Sequence, residues 1–136
     1  MARMLVVDDD PAWRALYRMG FESDFEVFEA VDGLDALAAL ERVKPDVIVL
    51  DLRMPHLDGL GFLRQLERRG IKLPVVVCSG TFMTESPPAI EGVFPAHKTP
   101  DLQGIWSALE AAMPRNADRE SLAKSRRAAE VTVWRD

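Results

Sequence analysis

Three aspartates, Asp8-Asp9-Asp10, follow directly on the apolar run Met4-Leu5-Val6-Val7, and a second apolar run, Val47-Ile48-Val49-Leu50, ends in Asp51. If both runs are buried strands, their ends bring three carboxylates to one edge of a sheet. Carboxylates crowded in this way repel one another and raise one another's pKa. A hard divalent cation relieves that repulsion, and Mg²⁺ prefers a few carboxylates together with waters and phosphate oxygens. Ser79 follows a third apolar run, Val75-Val76-Val77-Cys78, and Lys98 follows the stretch Val93 to His97. Phosphoryl transfer needs positioning and neutralisation of charge more than covalent help. A carboxylate becomes a usable nucleophile when a metal and an ammonium suppress its repulsion of the incoming phosphate. The residue types therefore suggest a magnesium-dependent phosphoryl site.

The elements that must position these groups alternate between short β-branched runs and longer helical patterns. Arg3 to Asp8 reads as a strand. Asp10 reads as the N-cap of the following helix, with Pro11 at its first position, where a missing N–H costs nothing. That helix runs to about Glu22, with Ala12, Ala15, Leu16 and Met19 expected on its inner face. Phe25 to Ala30 is a second strand, Asp32-Gly33 a turn, and Leu34 to Val43 a helix that turns Leu37 and Leu40 inward and stops at Lys44-Pro45. Val47 to Asp51 is apolar on consecutive residues, as suits a parallel strand covered on both faces. After Pro55 and Asp58-Gly59, a helix with Leu60, Leu63 and Leu66 at helical spacing ends near Arg69 and Gly70. Leu73 to Ser79 and Val93 to His97 complete five strands. Asp101 to Met113 is a final helix with Leu102, Ile105, Leu109 and Met113 as its apolar stripe. This β-α-β-α order implies right-handed crossovers and a parallel sheet with helices on both faces. Ligands in such folds bind beyond the carboxyl ends of the strands, where Asp8, Asp9, Asp51 and Ser79 all fall.

The chain has 136 residues, 48% hydrophobic and 29% charged, with a net charge of −5. That composition fits one soluble domain with its own core and argues against a nucleic-acid surface over the whole chain. The single cysteine, Cys78, sits inside an apolar run and reads as a small core residue. No stretch is long enough to cross a bilayer, and the N-terminal apolar run leads straight into acids, unlike a secretory leader, so a cytoplasmic protein is expected. Residues 1–114 are read as the domain. Residues 115–136 carry six Lys and Arg against four Asp and Glu, a net +2 that leaves −7 for the remainder. This tail reads first as a solvated extension, part helical or disordered, and second as a docking or dimerisation segment anchored by Trp134.

The stretch Asp51-Leu52-Arg53-Met54-Pro55-His56-Leu57-Asp58-Gly59, taken with the acids after the first strand, Ser79-Gly80 after the fourth and Lys98 after the fifth, resembles the phosphoacceptor site of two-component response regulator receiver domains, the CheY-like family. The resemblance covers roughly residues 1–113. It implies a flavodoxin-like, doubly wound α/β fold with five parallel strands in the order 2-1-3-4-5, an order for which this family is a standard example. It implies that Asp51 accepts a phosphoryl group from a phosphohistidine of a sensor histidine kinase or phosphotransfer protein. By the same resemblance Asp9 ligates Mg²⁺ directly, Asp8 holds a metal-bound water, and the backbone carbonyl of Arg53 is a further ligand. Ser79 would donate to a phosphoryl oxygen, and Lys98 would pair first with Asp51 and then with the phosphoryl group. Such a protein phosphorylates and dephosphorylates itself rather than turning over a substrate.

The chain departs from the family between Ser79 and Lys98. That stretch is a few residues short and contains Pro87-Pro88, which forbid a regular helix through that point, so the fourth crossover is expected to hold a shortened or irregular helix. The family's aromatic switch is matched only by Phe94, one residue farther from Lys98 than the pattern places it, with Pro95 in the expected position. Lys98-Thr99-Pro100 replaces the usual Lys-Pro pair, so a cis bond would move to Thr99–Pro100 or be absent. Trp13, four residues after Asp9, is expected near the site mouth, packing there rather than touching ligand. His56 and His97 are read as loop or strand-end residues.

Retained phosphorylation chemistry with an altered output surface is therefore the leading expectation. The alternative is a pseudo-receiver that binds a partner without phosphorylation. An aspartyl phosphatase would want a second aspartate two residues after the nucleophile, where this chain has Arg53. The 22 residues after position 114 are too few for a helix-turn-helix, so output through protein contacts is expected, with an unidentified partner or by self-association.

Overall fold

Val47–Asp51 is buried at every position, as its uninterrupted apolar run predicts for a strand covered on both faces. It is the centre of a five-stranded parallel sheet in the order β2-β1-β3-β4-β5. The chain is described by a computed structural model over residues 1–54, 56–79 and 92–113. In chain order the elements are β1 (Ala2–Val7), α1 (Pro11–Phe21), β2 (Phe25–Ala30), α2 (Gly33–Val43), β3 (Val47–Asp51), α3 (Gly59–Arg68), β4 (Val75–Ser79), β5 (Val93–His97) and α4 (Gln103–Ala112). The fourth crossover at 80–91, with its expected irregular helix, and the tail at 115–136 lie outside the described residues, as do Thr81 and the side chain of Ser79.

Alternation along each strand divides the core into two layers. Met4, Val6, Val49 and Val76 pack with Tyr17 and Phe21 of α1 and with Ile105, Trp106 and Leu109 of α4. Leu5, Val7, Ile48, Leu50 and Val77 pack on the other face with Ala36, Ala39 and Val43 of α2 and Phe62, Leu63 and Leu66 of α3. Asp10 caps α1 as expected, and Asp58, read from the sequence only as a loop residue, caps α3. Asp10 accepts a hydrogen bond from the Ala12 amide at 2.9 Å and Asp58 one from Gly61 at 2.8 Å. Asp32 is a cap as well as a turn residue, accepting from Asp35 at 2.8 Å.

Two expectations about packing are corrected. On α1, Ala12, Ala15 and Met19 of the expected stripe face outward, with Met19 75% exposed, and Leu16 packs only at the margin of the core, while Tyr17 and Phe21 are buried and Trp13 partly so. Both stripes have helical spacing, but the aromatic set removes far more apolar area from water, and area decides which face turns inward. On α3, Leu60 is 39% exposed and Phe62 takes the core position beside Leu63. Every peptide bond among the described residues is trans, including those around Pro100.

Candidate functional site

The strand register places the acids. Val7 pairs with Leu50 across β1 and β3, so Asp8 and Asp51 leave adjacent strands at one level. The Asp8 amide still donates to Ala30 O on β2 at 3.1 Å, which holds it in line with the sheet. Its carbonyl accepts from the Arg14 guanidinium at 2.8 Å and its Oδ1 from the Asp10 amide at 2.9 Å. Oxygens of Asp8, Asp9 and Asp51 all lie within 4.8 Å of one another, with Asp8 and Asp51 buried and Asp9 exposed. Close packing behind β3 needs a residue without Cβ at position 59, because a Cβ on Gly59 would lie 2.8 Å from the Asp51 carbonyl oxygen.

Lys98 enters from the far side of the sheet, one residue past the end of β5. Its Nζ is 2.5 Å from Asp8 Oδ2 and 3.5 Å from Asp51 Oδ2, and its side chain is only 6% exposed. The pairing expected first with Asp51 is thus shared, and Asp8 is the nearer partner. Tyr17 also donates its hydroxyl to Asp8 Oδ2 at 3.4 Å, and the Trp13 ring lies under the ammonium with its centroid 5.0 Å away. Neither aromatic contact is legible from a motif, although the spacing of 13 and 17 on one helix face could have suggested that they act together. Trp13 packs, as expected of it, but what it packs against is the site lysine.

Burial, and next the charge of Asp8, push the Asp51 carboxyl above the ordinary aspartate value, and Lys98 opposes the shift. Burial alone would lower the Lys98 pKa, but its hydrogen bond to Asp8 and the charges of Asp51 and Asp8 raise it overall. Tyr17 is pushed up by burial and by the neighbouring anions, so its phenol is a neutral donor. Burial does the same to the Cys78 thiol, consistent with a core residue. Three carboxylates against one ammonium leave two formal negative charges in a cluster of hard oxygens, which fits a small divalent cation.

The raised Asp51 pKa makes the stability of the fold depend on pH. The native state binds that proton more tightly than the unfolded chain does. Asp51 therefore adds stability below its unfolded pKa, and this is lost as pH rises through its folded pKa. In metal-free buffer, the stability advantage of Asp51→Asn over the parent should be larger at about pH 7 than at about pH 4. Urea unfolding at the two pH values measures this, and an advantage that does not change with pH would contradict it.

Arg53 reaches the site through its amide, which donates to Asp51 Oδ1 at 3.3 Å. Ser79 ends β4, paired in register with His97, on the same edge as Asp51. Phe94 is half-buried in β5, packed on the α1 and α4 layer. His56, at a positive φ of 67°, brings Nδ1 to 2.8 Å from Asp32 Oδ2, a partner that only the folded chain reveals. His97 is exposed.

Comparison with known proteins agrees with this arrangement. The profile of the response regulator receiver domain family matches residues 4–91. Chemotaxis protein CheY of Listeria monocytogenes is 40% identical over 81 residues, 58% of this chain and 68% of that protein. A protein-glutamate methylesterase/protein-glutamine glutaminase of Treponema denticola is 45% identical over 80 residues, 57% of this chain but only 22% of that protein's length. Among solved structures, response regulator protein TrrA of Thermotoga maritima, in complex with Mg²⁺-BeF, superposes with a TM-score of 0.72 at 22% identity, over 83% of this chain and 100% of that one; at that identity the likeness concerns the fold. Lys98 lies beyond the matched residues, so its place in the site rests on the geometry. With both acidic strand ends inside the match and the sheet in the order 2-1-3-4-5, this chain belongs to the response regulator receiver domain family.

Proposed function

We propose that this receiver domain accepts a phosphoryl group on Asp51 from a phosphohistidine of a sensor histidine kinase or phosphotransfer protein, in the cytoplasm, and passes the signal on through protein contacts. The observation that carries the reading is the convergence of Lys98 Nζ on the carboxylates of Asp8 and Asp51, beside Asp9. An oxygen of Asp51 attacks phosphorus, the P–N bond to the donor imidazole breaks, and its electron pair returns to the imidazole. In the reverse phase water attacks phosphorus, the bond to Asp51 breaks, and inorganic phosphate leaves while the carboxylate is restored. The protein in this reading modifies itself and turns over no separate substrate.

Asp8, Asp9, Asp51 and the backbone carbonyl of Arg53 would hold Mg²⁺, whose charge neutralises phosphoryl oxygens when bound. Lys98 is placed to shift its hydrogen bond from the carboxylates to a phosphoryl oxygen. As a compact, freely rotating point charge, an ammonium suits such a change of partner. Ser79, at the end of β4, is positioned in sequence to offer its hydroxyl to the same group.

Magnesium should stabilise the fold by mass action. At ten times its dissociation constant the gain is about 1.4 kcal/mol, roughly 4–8 °C in melting temperature. Calorimetric titration and a melting series with and without MgCl₂ measure it, and Asp9→Asn should abolish the shift. An unchanged melting temperature at millimolar magnesium would reject the metal site. Incubation with acetyl phosphate and magnesium, followed by intact-mass measurement, tests phosphorylation directly. No added phosphoryl mass would favour a domain that binds its partner without phosphorylation.

A further inference from the structure

Among the described residues, the Lys98 ammonium meets the carboxylates of Asp8 and Asp51 at 2.5 and 3.5 Å and the face of Trp13 at 5.0 Å from its centroid. Trp13 stands in the first turn of α1, one turn before Tyr17, with the two ring centroids 6.0 Å apart. Tyr17 in turn stacks on Phe21, and Phe21 meets Trp106 of α4 edge-on at 4.8 Å. One helix face thus presents an aromatic surface to the cation and, through Tyr17, a hydroxyl to its anionic partner Asp8. The whole assembly is anchored in the core.

Resting on the reading of Asp51 as the phosphoacceptor, we infer that Trp13 is a positioning residue for Lys98. An ammonium is strongly hydrated and its stem is flexible. Left open on one side, it would turn toward solvent. The indole face closes that side and attracts the cation, and indole does so better than any other side-chain ring. The attraction has no preferred hydrogen-bond direction, so Lys98 stays within reach of both carboxylates yet can still turn to a phosphoryl oxygen. A carboxylate at position 13 would trap the ammonium, and an aliphatic side chain would leave it to water.

The test compares the parent chain with Trp13→Leu and Trp13→Phe in acetyl phosphate and magnesium, reading the rate of phosphoryl mass gain. Leucine fills much of the space without an aromatic face, whereas phenylalanine keeps one. Trp13→Leu should be about tenfold slower than the parent and Trp13→Phe within about threefold of it. In the unphosphorylated protein, the Lys98 ε-methylene protons should show an upfield ring-current shift that survives in Trp13→Phe and vanishes in Trp13→Leu. Equal rates for the two variants would overturn the inference, whatever their melting temperatures, because packing alone would then account for any loss. A parent chain that gains no mass rejects the phosphoacceptor reading itself, and the inference falls with it.

Discussion

Asp51→Asn should gain no phosphoryl mass with acetyl phosphate and magnesium, under conditions in which the parent chain gains one. The amide has nearly the shape of the carboxylate, so the fold and the hydrogen bond from Arg53 N to Oδ1 should persist. What disappears is the anionic oxygen that forms the bond to phosphorus. Asp8 is no substitute, because it is fully buried against Lys98 and Tyr17. Asp9 is exposed and belongs to the candidate metal cluster. Undiminished labelling of the Asn variant would place the acceptor elsewhere and overturn the reading of the site. The parent should also be less stable than this variant in metal-free buffer at neutral pH, since one of two crowded carboxylates is removed. Loss of labelling with gain of stability separates a missing nucleophile from a damaged fold.

Lys98→Met should cost about 3–5 kcal/mol of stability in the absence of metal, the range for breaking a buried ion pair by removing one partner. The reason is specific to this site. Asp8 is completely buried and Asp51 nearly so, and among the described residues Lys98 is the cation that pairs with both. Methionine fills the volume but leaves the two carboxylates facing each other. Part of the loss should be recovered on acidification, as protonation removes the uncompensated charge. The double variant Asp8→Asn/Lys98→Met should recover part of it at neutral pH, because neutralising both members of a buried pair is far less costly than orphaning one. Urea unfolding of the four proteins in the cycle gives the coupling directly. A Lys98→Met loss below about 1 kcal/mol would place the ammonium in the class of solvent-screened surface pairs and contradict its burial. In the parent, the raised Lys98 pKa means that its contribution is complete below the unfolded lysine value and fades only as pH rises through the folded one.

The reversed face of α1 shows where periodicity runs out. Residues 12, 15, 16 and 19 and residues 13, 17, 20 and 21 both satisfy a helical repeat, and the sequence does not weigh them by area. The aromatic stripe is buried because a tyrosine, a phenylalanine and most of a tryptophan exclude far more water than two alanines and a methionine. The same choice turned Trp13 toward Lys98, so a question of packing became one of site chemistry. Exposing Met19 leaves an apolar strip on the outside of α1 that the amphipathic reading had assigned to the core.

The strands were plain from the order of residues alone. β2, β3 and β5 have the bounds read for them from the sequence, because turn and cap residues flank them. That order also put acids after the first and third strands and a lysine after the fifth, since alternating strands and helices leave a parallel sheet as the arrangement that covers both faces. Which carboxylate the lysine meets was decided only in three dimensions. The order 2-1-3-4-5 sets β1 and β3 side by side and puts β5 beyond β4, so Lys98 must reach across the strand ends to a pair of nearly equivalent oxygens. Between Asp8 at 2.5 Å and Asp51 at 3.5 Å, the outcome depends on side-chain length, on Tyr17 and Trp13 at its flank, and on desolvation. These are contacts between segments far apart in the chain, and no local pattern of residue types encodes them.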